Sequence, residues 1–200
     1  MKRIGITQRV CIAEDTKEKR DCLAHDWYKF LNALGVCFIP IPNDASAVNV
    51  CRQFGIEGVI LSGGDDIGRF PERDVTEFAV LEWCRESSIP AIGVCRGFQV
   101  INAFWGGEAV AAEQSLHRAK RHYVRFSDDT VRSVNSYHNF AITSFSGQCG
   151  QALSPLAVCV QDQSIEAAFG LNMLGMMWHP EREKVPVSAD LDIFKQYLRI

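Results

Sequence analysis

The chain has 200 residues, 47% hydrophobic and 22% charged, with a formal net charge of −3 at pH 7. Those values fit one globular domain, residues 1–200, with a sizeable core, and give no electrostatic reason to expect nucleic acid or a membrane surface as partner. No apolar run nears the about 18 residues that span a bilayer, and Met1-Lys2-Arg3-Ile4-Gly5 leads into a strand pattern rather than a signal peptide.

Arg3 to Gln8 reads as a first strand, followed by a polar loop. From about Lys17 to Leu34, the spacing of Cys22, Leu23, Trp27, Phe30, Leu31 and Leu34 predicts an amphipathic helix, closed by Gly35. Val36 to Pro42 is a second strand, Ala45 to Phe54 a weaker helix, and Gly58 to Leu61 a third strand that empties into Ser62-Gly63-Gly64-Asp65. Pro71 to Glu86 is a helix with proline in its first turn and Val75, Phe78, Ala79, Leu81 and Trp83 for packing. Ala91 to Val94 is a short buried strand, and Phe98, Val100, Ile101 and Phe104 then recur at helical spacing. Alternation of this kind predicts an α/β fold, a doubly wound, mainly parallel sheet with flanking helices.

After Gly106-Gly107 the pattern changes. Residues 108 to 145 read as shorter strands and loops, with a basic run from His117 to Arg125. Leu156 to Val160, Ile165 to Phe169 and Leu174 to Trp178 read as three strands, as antiparallel neighbours, and Asp190 to Leu198 as a closing helix. The eight cysteines contain no C-x-x-C pair and no ligand-like cluster with histidine, so no metal site is expected. They read as free thiols of a cytoplasmic protein.

The turn Gly93-Val94-Cys95-Arg96-Gly97 joins a strand to a helix, with glycines where the two come close. That is the pattern of a nucleophile elbow carrying cysteine, whose thiolate the helix N-terminus favours. A cysteine nucleophile needs a base and something to orient the base. Trp178-His179-Pro180-Glu181 supplies both at a strand end, where residues two apart point the same way. Ser62-Gly63-Gly64 also follows a parallel strand, and Gly63 or Gly64, with the Arg96 N–H, can form an oxyanion hole.

These pieces, in this order, resemble the class I glutamine amidotransferase superfamily over nearly the whole chain. The motifs are Ser62-Gly63-Gly64-Asp65, Gly93-x-Cys95-x-Gly97-x-Gln99, Ser136-x-His138 and His179-Pro180-Glu181. The resemblance implies a flavodoxin-like sheet with Cys95 as nucleophile, His179 as acid and base, and Glu181 as its orienter. It implies oxyanion donors at Gly64 and Arg96. Substrate contacts fall at Gly63, at Gln99 and in the loop of Ser136, Tyr137 and His138, with Asn139 where the family more often has glycine or histidine. Cys95-Arg96-Gly97-Phe98-Gln99 and Arg73-Asp74-x-x-Glu77 are similar to the γ-glutamyl hydrolase branch, peptidase C26.

Ile4-Gly5-Ile6-Thr7-Gln8-Arg9 and Arg20-Asp21-x-Leu23-x-x-Asp26-Trp27 resemble the γ-glutamyl-CDP-amidate hydrolases of capsule phosphoramidate synthesis. That narrower likeness gives Arg118, Lys120 and Arg121 a role in holding a leaving-group phosphate, against the plainer reading of a solvated basic strand. The implied reaction is thiolate attack on a small γ-glutamyl amide, through a thioester, without metal or cofactor. Two other readings use the same fold: a glutaminase that passes ammonia to a separate synthetase, and an inactive binding protein. A homodimer is compatible with either.

Overall fold

The computed structural model describes residues 1–145 and 147–200. The chain opens with β1 (Arg3–Thr7), a hairpin of β2 (Arg9–Ile12) and β3 (Lys19–Cys22), and α1 (His25–Leu34). It continues through β4 (Cys37–Ile41), α2 (Ala47–Gln53), β5 (Gly58–Leu61), α3 (Pro71–Glu86), β6 (Ala91–Val94) and α4 (Arg96–Phe104). Then come β7 (Val110–Ala111), the short α5 (Gln114–His117), β8 (Arg118–Phe126), β9 (Val131–Tyr137), β10 (Phe140–Ala141) and α6 (Gly147–Ala152). The last elements are β11 (Ser154–Cys159), β12 (Ile165–Gly170), β13 (Met173–Met176), a 3-10 turn (Pro180–Arg182) and α7 (Ser188–Leu198).

Nine strands form one sheet in the order β4-β1-β5-β6-β13-β12-β11-β8-β9. Pairing is parallel from β4 to β13 and antiparallel from β13 to β9. The sheet is thus mixed: the expected parallel part runs from β4 to β13 with helices on both faces, and the three late strands are antiparallel neighbours as expected. Side-chain alternation divides the core in two. Ile4, Ile6, Ile60, Ile92, Val94 and Leu174 face α1 and α7, whereas Val59, Leu61, Ala91 and Met173 face α2, α3 and α4. On α1, Trp27, Phe30, Leu31 and Leu34 are buried at helical spacing, each worth about 1.5–3 kcal/mol of transfer free energy. Gly35, at φ 72°, ends that helix by donating its N–H to the Asn32 carbonyl.

Three local expectations change. The helix predicted from Lys17 starts at His25, because Lys19–Cys22 pairs with Arg9–Ile12 as a hairpin. The stretch before Leu23 has Cys22 alone to hold a helix on the sheet, and the hairpin satisfies its backbone instead. On α3, Val75 is 70% exposed and Ala79 is exposed, while Arg73, Thr76 and Glu77 are buried. The first half of α3 buries a polar face, which helical hydrophobicity does not reveal. The segment read as short strands instead contains β8 and β9, a long antiparallel pair at the sheet edge.

Register brings the functional loops together. Leu61 and Gly175 both pair with Gly93, and Met176 pairs with Val94, so β5, β6 and β13 discharge at one edge. Gly97 permits this closeness: a Cβ there would lie 2.2 Å from the Leu61 carbonyl oxygen. Backbone cannot swing aside, so Gly97→Ala is expected to cost about 1–3 kcal/mol, as overpacking does. The urea midpoint measures it. An unchanged midpoint refutes the contact's importance.

Candidate functional site

Cys95 stands between β6 and α4 at φ 53° and ψ −107°, a conformation that L residues rarely adopt. Its N–H donates to the Met176 carbonyl at 2.7 Å, and its own carbonyl accepts from Phe98 and Gln99. These bonds fix the side chain at the carboxyl edge of the sheet. The first N–H groups of α4 have no acceptor within their own helix, which leaves them for a ligand.

His179 follows β13, and its Nδ1 lies 2.7 Å from Glu181 Oε1, with both residues buried. The pair forms through the 3-10 turn of Pro180–Arg182 rather than through strand alternation, and the turn closes when the Arg182 N–H donates to the His179 carbonyl. Asn135 clamps the histidine main chain: Oδ1 accepts from the His179 N–H at 2.9 Å and Nδ2 donates to its carbonyl at 2.8 Å. Sequence reasoning missed Asn135, although it adjoins the Ser136-Tyr137-His138 segment. Gly63 lets the imidazole approach, since a Cβ there would sit 2.6 Å from His179 Cε1.

Burial alone would raise the Cys95 thiol, but the charge and hydrogen bond of His179, aided by His138 and Arg182, bring it below its ordinary value. Burial would likewise lower His179, yet Glu181 and then Cys95 raise it to about 9. The two groups therefore favour a thiolate–imidazolium pair. Both open into a cavity of about 240 Å³ that Gly64 and Tyr137 also line. Tyr137 meets the His179 ring edge-on at 5.7 Å.

The other expected residues divide. Arg96 follows Cys95 directly at the start of α4, with its main-chain N–H on the elbow. Gln99 lines an adjoining cavity of about 210 Å³ and donates weakly to the Phe140 carbonyl at 3.4 Å. Asp66 borders both cavities. The Ser136 hydroxyl is committed to the His117 carbonyl at 2.7 Å, so its side chain anchors β9 instead of reaching either cavity. Arg118, Lys120 and Arg121 do not line the Cys95 cavity; they stand on β8, exposed. Arg121 is engaged by Glu183 at 2.7 Å and by the Ser133 carbonyl at 2.9 Å. Strand pairing with β9 holds the basic run on the sheet surface. The expected role of Arg118, Lys120 and Arg121 with a leaving-group phosphate therefore gains no support from the geometry of the Cys95 cavity.

His138 also leaves the cavity. Its Nδ1–H donates to the Phe140 carbonyl at 2.8 Å, and Nε2 faces Glu166 at 3.6 Å. His117 Nε2 pairs with Asp162 at 2.8 Å while Nδ1 faces the same Glu166 oxygen at 3.6 Å, and His122 approaches Glu166 at 3.2 Å. Burial would raise the Glu166 carboxyl, but His122 and His138 hold it well below the usual range. An ionised glutamate thus sits among three imidazoles. The ligand-type atoms of His117, His138 and Glu166 lie within 4.8 Å of one another, as do those of His117, His122 and Cys159. The expectation that no histidine cluster of ligand type exists is overturned: sheet pairing gathers residues that lie far apart in sequence.

A family model described as Peptidase C26 matches residues 3–181. The chain is 38% identical over 189 residues to the γ-glutamyl-CDP-amidate hydrolase of Campylobacter jejuni, covering 90% of both proteins. It is 30% identical over 112 residues to a glutamine-hydrolysing GMP synthase component of Methanococcus maripaludis, covering 56% of each. A structure described as a GMP synthase component from Thermoplasma acidophilum superposes with a TM-score of 0.76 at 18% identity, covering 100% of this chain and 93% of that one. A glutamine amidotransferase from Thermotoga maritima superposes with a TM-score of 0.68 at 13% identity, covering 99% and 84%.

Proposed function

Since the chain belongs to the peptidase C26 family, we propose that it hydrolyses γ-glutamyl amides with Cys95 as nucleophile, His179 as acid and base, and Glu181 as orienter of the imidazole. The observation that carries this reading is the buried His179–Glu181 bond of 2.7 Å, whose imidazole lines the cavity that holds Cys95. The Cys95 thiolate attacks the γ-carbonyl carbon, forming a C–S bond and placing the electron pair on oxygen. Main-chain N–H groups of Gly64 and Arg96 receive that oxyanion. His179, protonated beforehand, gives its proton to the departing nitrogen as the C–N bond breaks. Water then attacks the thioester, His179 accepts its proton, and glutamate leaves as the thiolate is restored. Gln99 and the main chain around Tyr137 hold the amino-acid end of the glutamyl group. Within this scheme the similarity to γ-glutamyl-CDP-amidate hydrolase supports a nucleotide-linked amide as substrate.

Residues 1–200 act as a single domain in this reading. Among the described residues no helix is long and apolar enough to cross a membrane, and all eight cysteines are free, which suits the reducing cytoplasm. Similarity to the GMP synthase component supports a second reading, a glutaminase that hands ammonia to a synthetase partner. Glutamate release from large γ-glutamyl amides by the purified chain, with no activating protein, favours the hydrolase. Release from glutamine alone, and only with a partner, favours the second reading.

The roles order two variants. His179→Ala removes the proton carrier, whereas Glu181→Gln keeps it and loses only orientation and charge support. His179→Ala is therefore expected to lower kcat more than Glu181→Gln in a glutamate-release assay. The reverse order would reassign the acid–base role.

A further inference from the structure

The cavity that holds Cys95 carries three guanidiniums held only by long ion pairs. Arg9 opens β2, Arg69 comes from the loop ahead of α3, and Arg182 from the turn that contains Glu181. Among the described residues none of their side chains donates a hydrogen bond. Arg9 Nη2 and Arg69 Nε stand 3.7 and 3.5 Å from Asp65, Arg182 Nε is 3.9 Å from Glu181, and Arg182 otherwise lies over the Tyr137 ring at 4.5 Å. Arg9 Nε is buried and unpartnered. The contrast is with Arg73 and Arg96, buried and bonded to Glu77, and with Arg132, bonded to Asp190 at 2.6 Å. Asp65 and Asp66 share the wall, so three arginines face two carboxylates.

We propose that Arg9, Arg69 and Arg182 form a subsite for phosphoryl oxygens of the leaving group, which selects γ-glutamyl amides whose departing nitrogen bears phosphorus. This deepens the γ-glutamyl amide reading and rests on it. In such an amide the phosphorus is one bond from the nitrogen that leaves. Its oxygens must therefore share a cavity with the Cys95 sulfur, which is where the three arginines stand. A guanidinium offers paired N–H donors to two oxygens of one phosphoryl group, a match that a solvated lysine lacks. The adjoining cavity, with Gln99, Ala103 and Phe140, has no arginine and accommodates the glutamyl chain. The α-carboxylate of that chain is the competing anion, and titration with glutamate separates the two.

Calorimetric titration with cytidine diphosphate, inorganic pyrophosphate and glutamate, each alone, tests the assignment. The wild type is expected to bind cytidine diphosphate, more weakly as salt rises. Arg9→Gln and Arg182→Gln should each weaken that binding by roughly tenfold, as loss of a charged hydrogen bond does, and Arg69→Gln should add to them. Arg118→Gln, Lys120→Gln and Arg121→Gln together should bind as the wild type does. In turnover, the arginine variants should lose preference for a phosphoramidate-linked substrate over a γ-glutamyl anilide, read as the ratio of kcat/KM values. No cytidine diphosphate binding by the wild type, or equal binding by the arginine variants, overturns the subsite. So does loss of glutamate binding in place of nucleotide binding, because the arginines would then hold the α-carboxylate. Pyrophosphate binding as tight as that of the nucleotide supports recognition of phosphate alone; tighter nucleotide binding adds a nucleoside contact to it. Should the variants fail to fold, the salt dependence measured on the wild type still decides whether an anion site exists. Failure of the wild type to release glutamate from any amide would instead sink the proposed function, while the titrations still report on the arginines.

Discussion

Replacing Cys95 by serine is expected to lower glutamate release by about 10³-fold or more, in line with loss of one member of a coupled catalytic group. Serine nearly matches cysteine in size, and the fold at position 95 is held by main-chain bonds to Met176, Phe98 and Gln99, so the variant should unfold where the wild type does. What changes is chemistry. A serine hydroxyl does not ionise in the range where His179 holds its proton, so the poised thiolate is lost rather than weakened. Activity within tenfold of wild type would place the nucleophile elsewhere, and mass spectrometry of the wild type during turnover should show a glutamyl adduct on the peptide containing Cys95. The same ion pair sets a pH profile. Cys95 titrates below its ordinary value and His179 at about 9, so the thiolate–imidazolium form populates the interval between them. Iodoacetamide should therefore alkylate Cys95 readily at neutral pH and slow on the acid side as the thiolate takes up a proton. kcat/KM should fall above about pH 9 as His179 loses the proton that the leaving nitrogen needs. Alkylation that rises only near the pH of an ordinary thiol would remove the ion pair from the mechanism.

How far the sequence discloses this site depends on the range of the interactions that build it. The elbow is local: Gly93, Cys95 and Gly97 lie within one strand end and one helical turn, so the motif carries its geometry with it. His179 and Glu181 are local too, although a 3-10 turn and not strand alternation joins them. The inner polar support is not local. Asn135 reaches His179 from a strand at the far edge of the sheet, and Glu166 gathers three histidines from α5, β8 and the segment after β9. Charge in a linear run misleads for the same reason. Six basic side chains between His117 and Arg125 suggest an anion site, but β-pairing turns His122 inward to Glu166 and Arg121 outward to Glu183. The arginines that do line the Cys95 cavity come singly from β2, the loop ahead of α3 and the 3-10 turn after β13, far apart in sequence.

Glu77→Ala is expected to destabilise the fold by about 3–5 kcal/mol, the usual cost of leaving a buried charge without its partner. Glu77 is fully buried beneath the site. One carboxylate oxygen accepts from Thr7 Oγ1 at 2.7 Å and from Arg73 Nε at 3.0 Å, and the other accepts from Arg96 Nη1. Arg73 in turn donates to the Ser62 carbonyl at 2.7 Å and the Gly63 carbonyl at 3.2 Å, while Arg96 also pairs with Asp74. A single carboxylate therefore ties β1, the glycine loop after β5 and the elbow after β6 to α3. Removing it leaves the buried Arg73 with only carbonyl and hydroxyl acceptors and Arg96 with only Asp74, where burial already lowers the tendency of Arg73 to stay protonated and Glu77 supports it. This explains why α3 turns polar residues inward at its first half and apolar ones only at its second. It also separates two consequences. Urea denaturation should show the loss of stability, and a glutamate-release assay under conditions where the variant remains folded should show a further fall in kcat as Gly63, Gly64 and the Arg96 N–H lose their common anchor. A midpoint shift worth less than about 1 kcal/mol, on the scale of surface ion pairs, would show that Arg73 and Arg96 hold the loop and the elbow without Glu77.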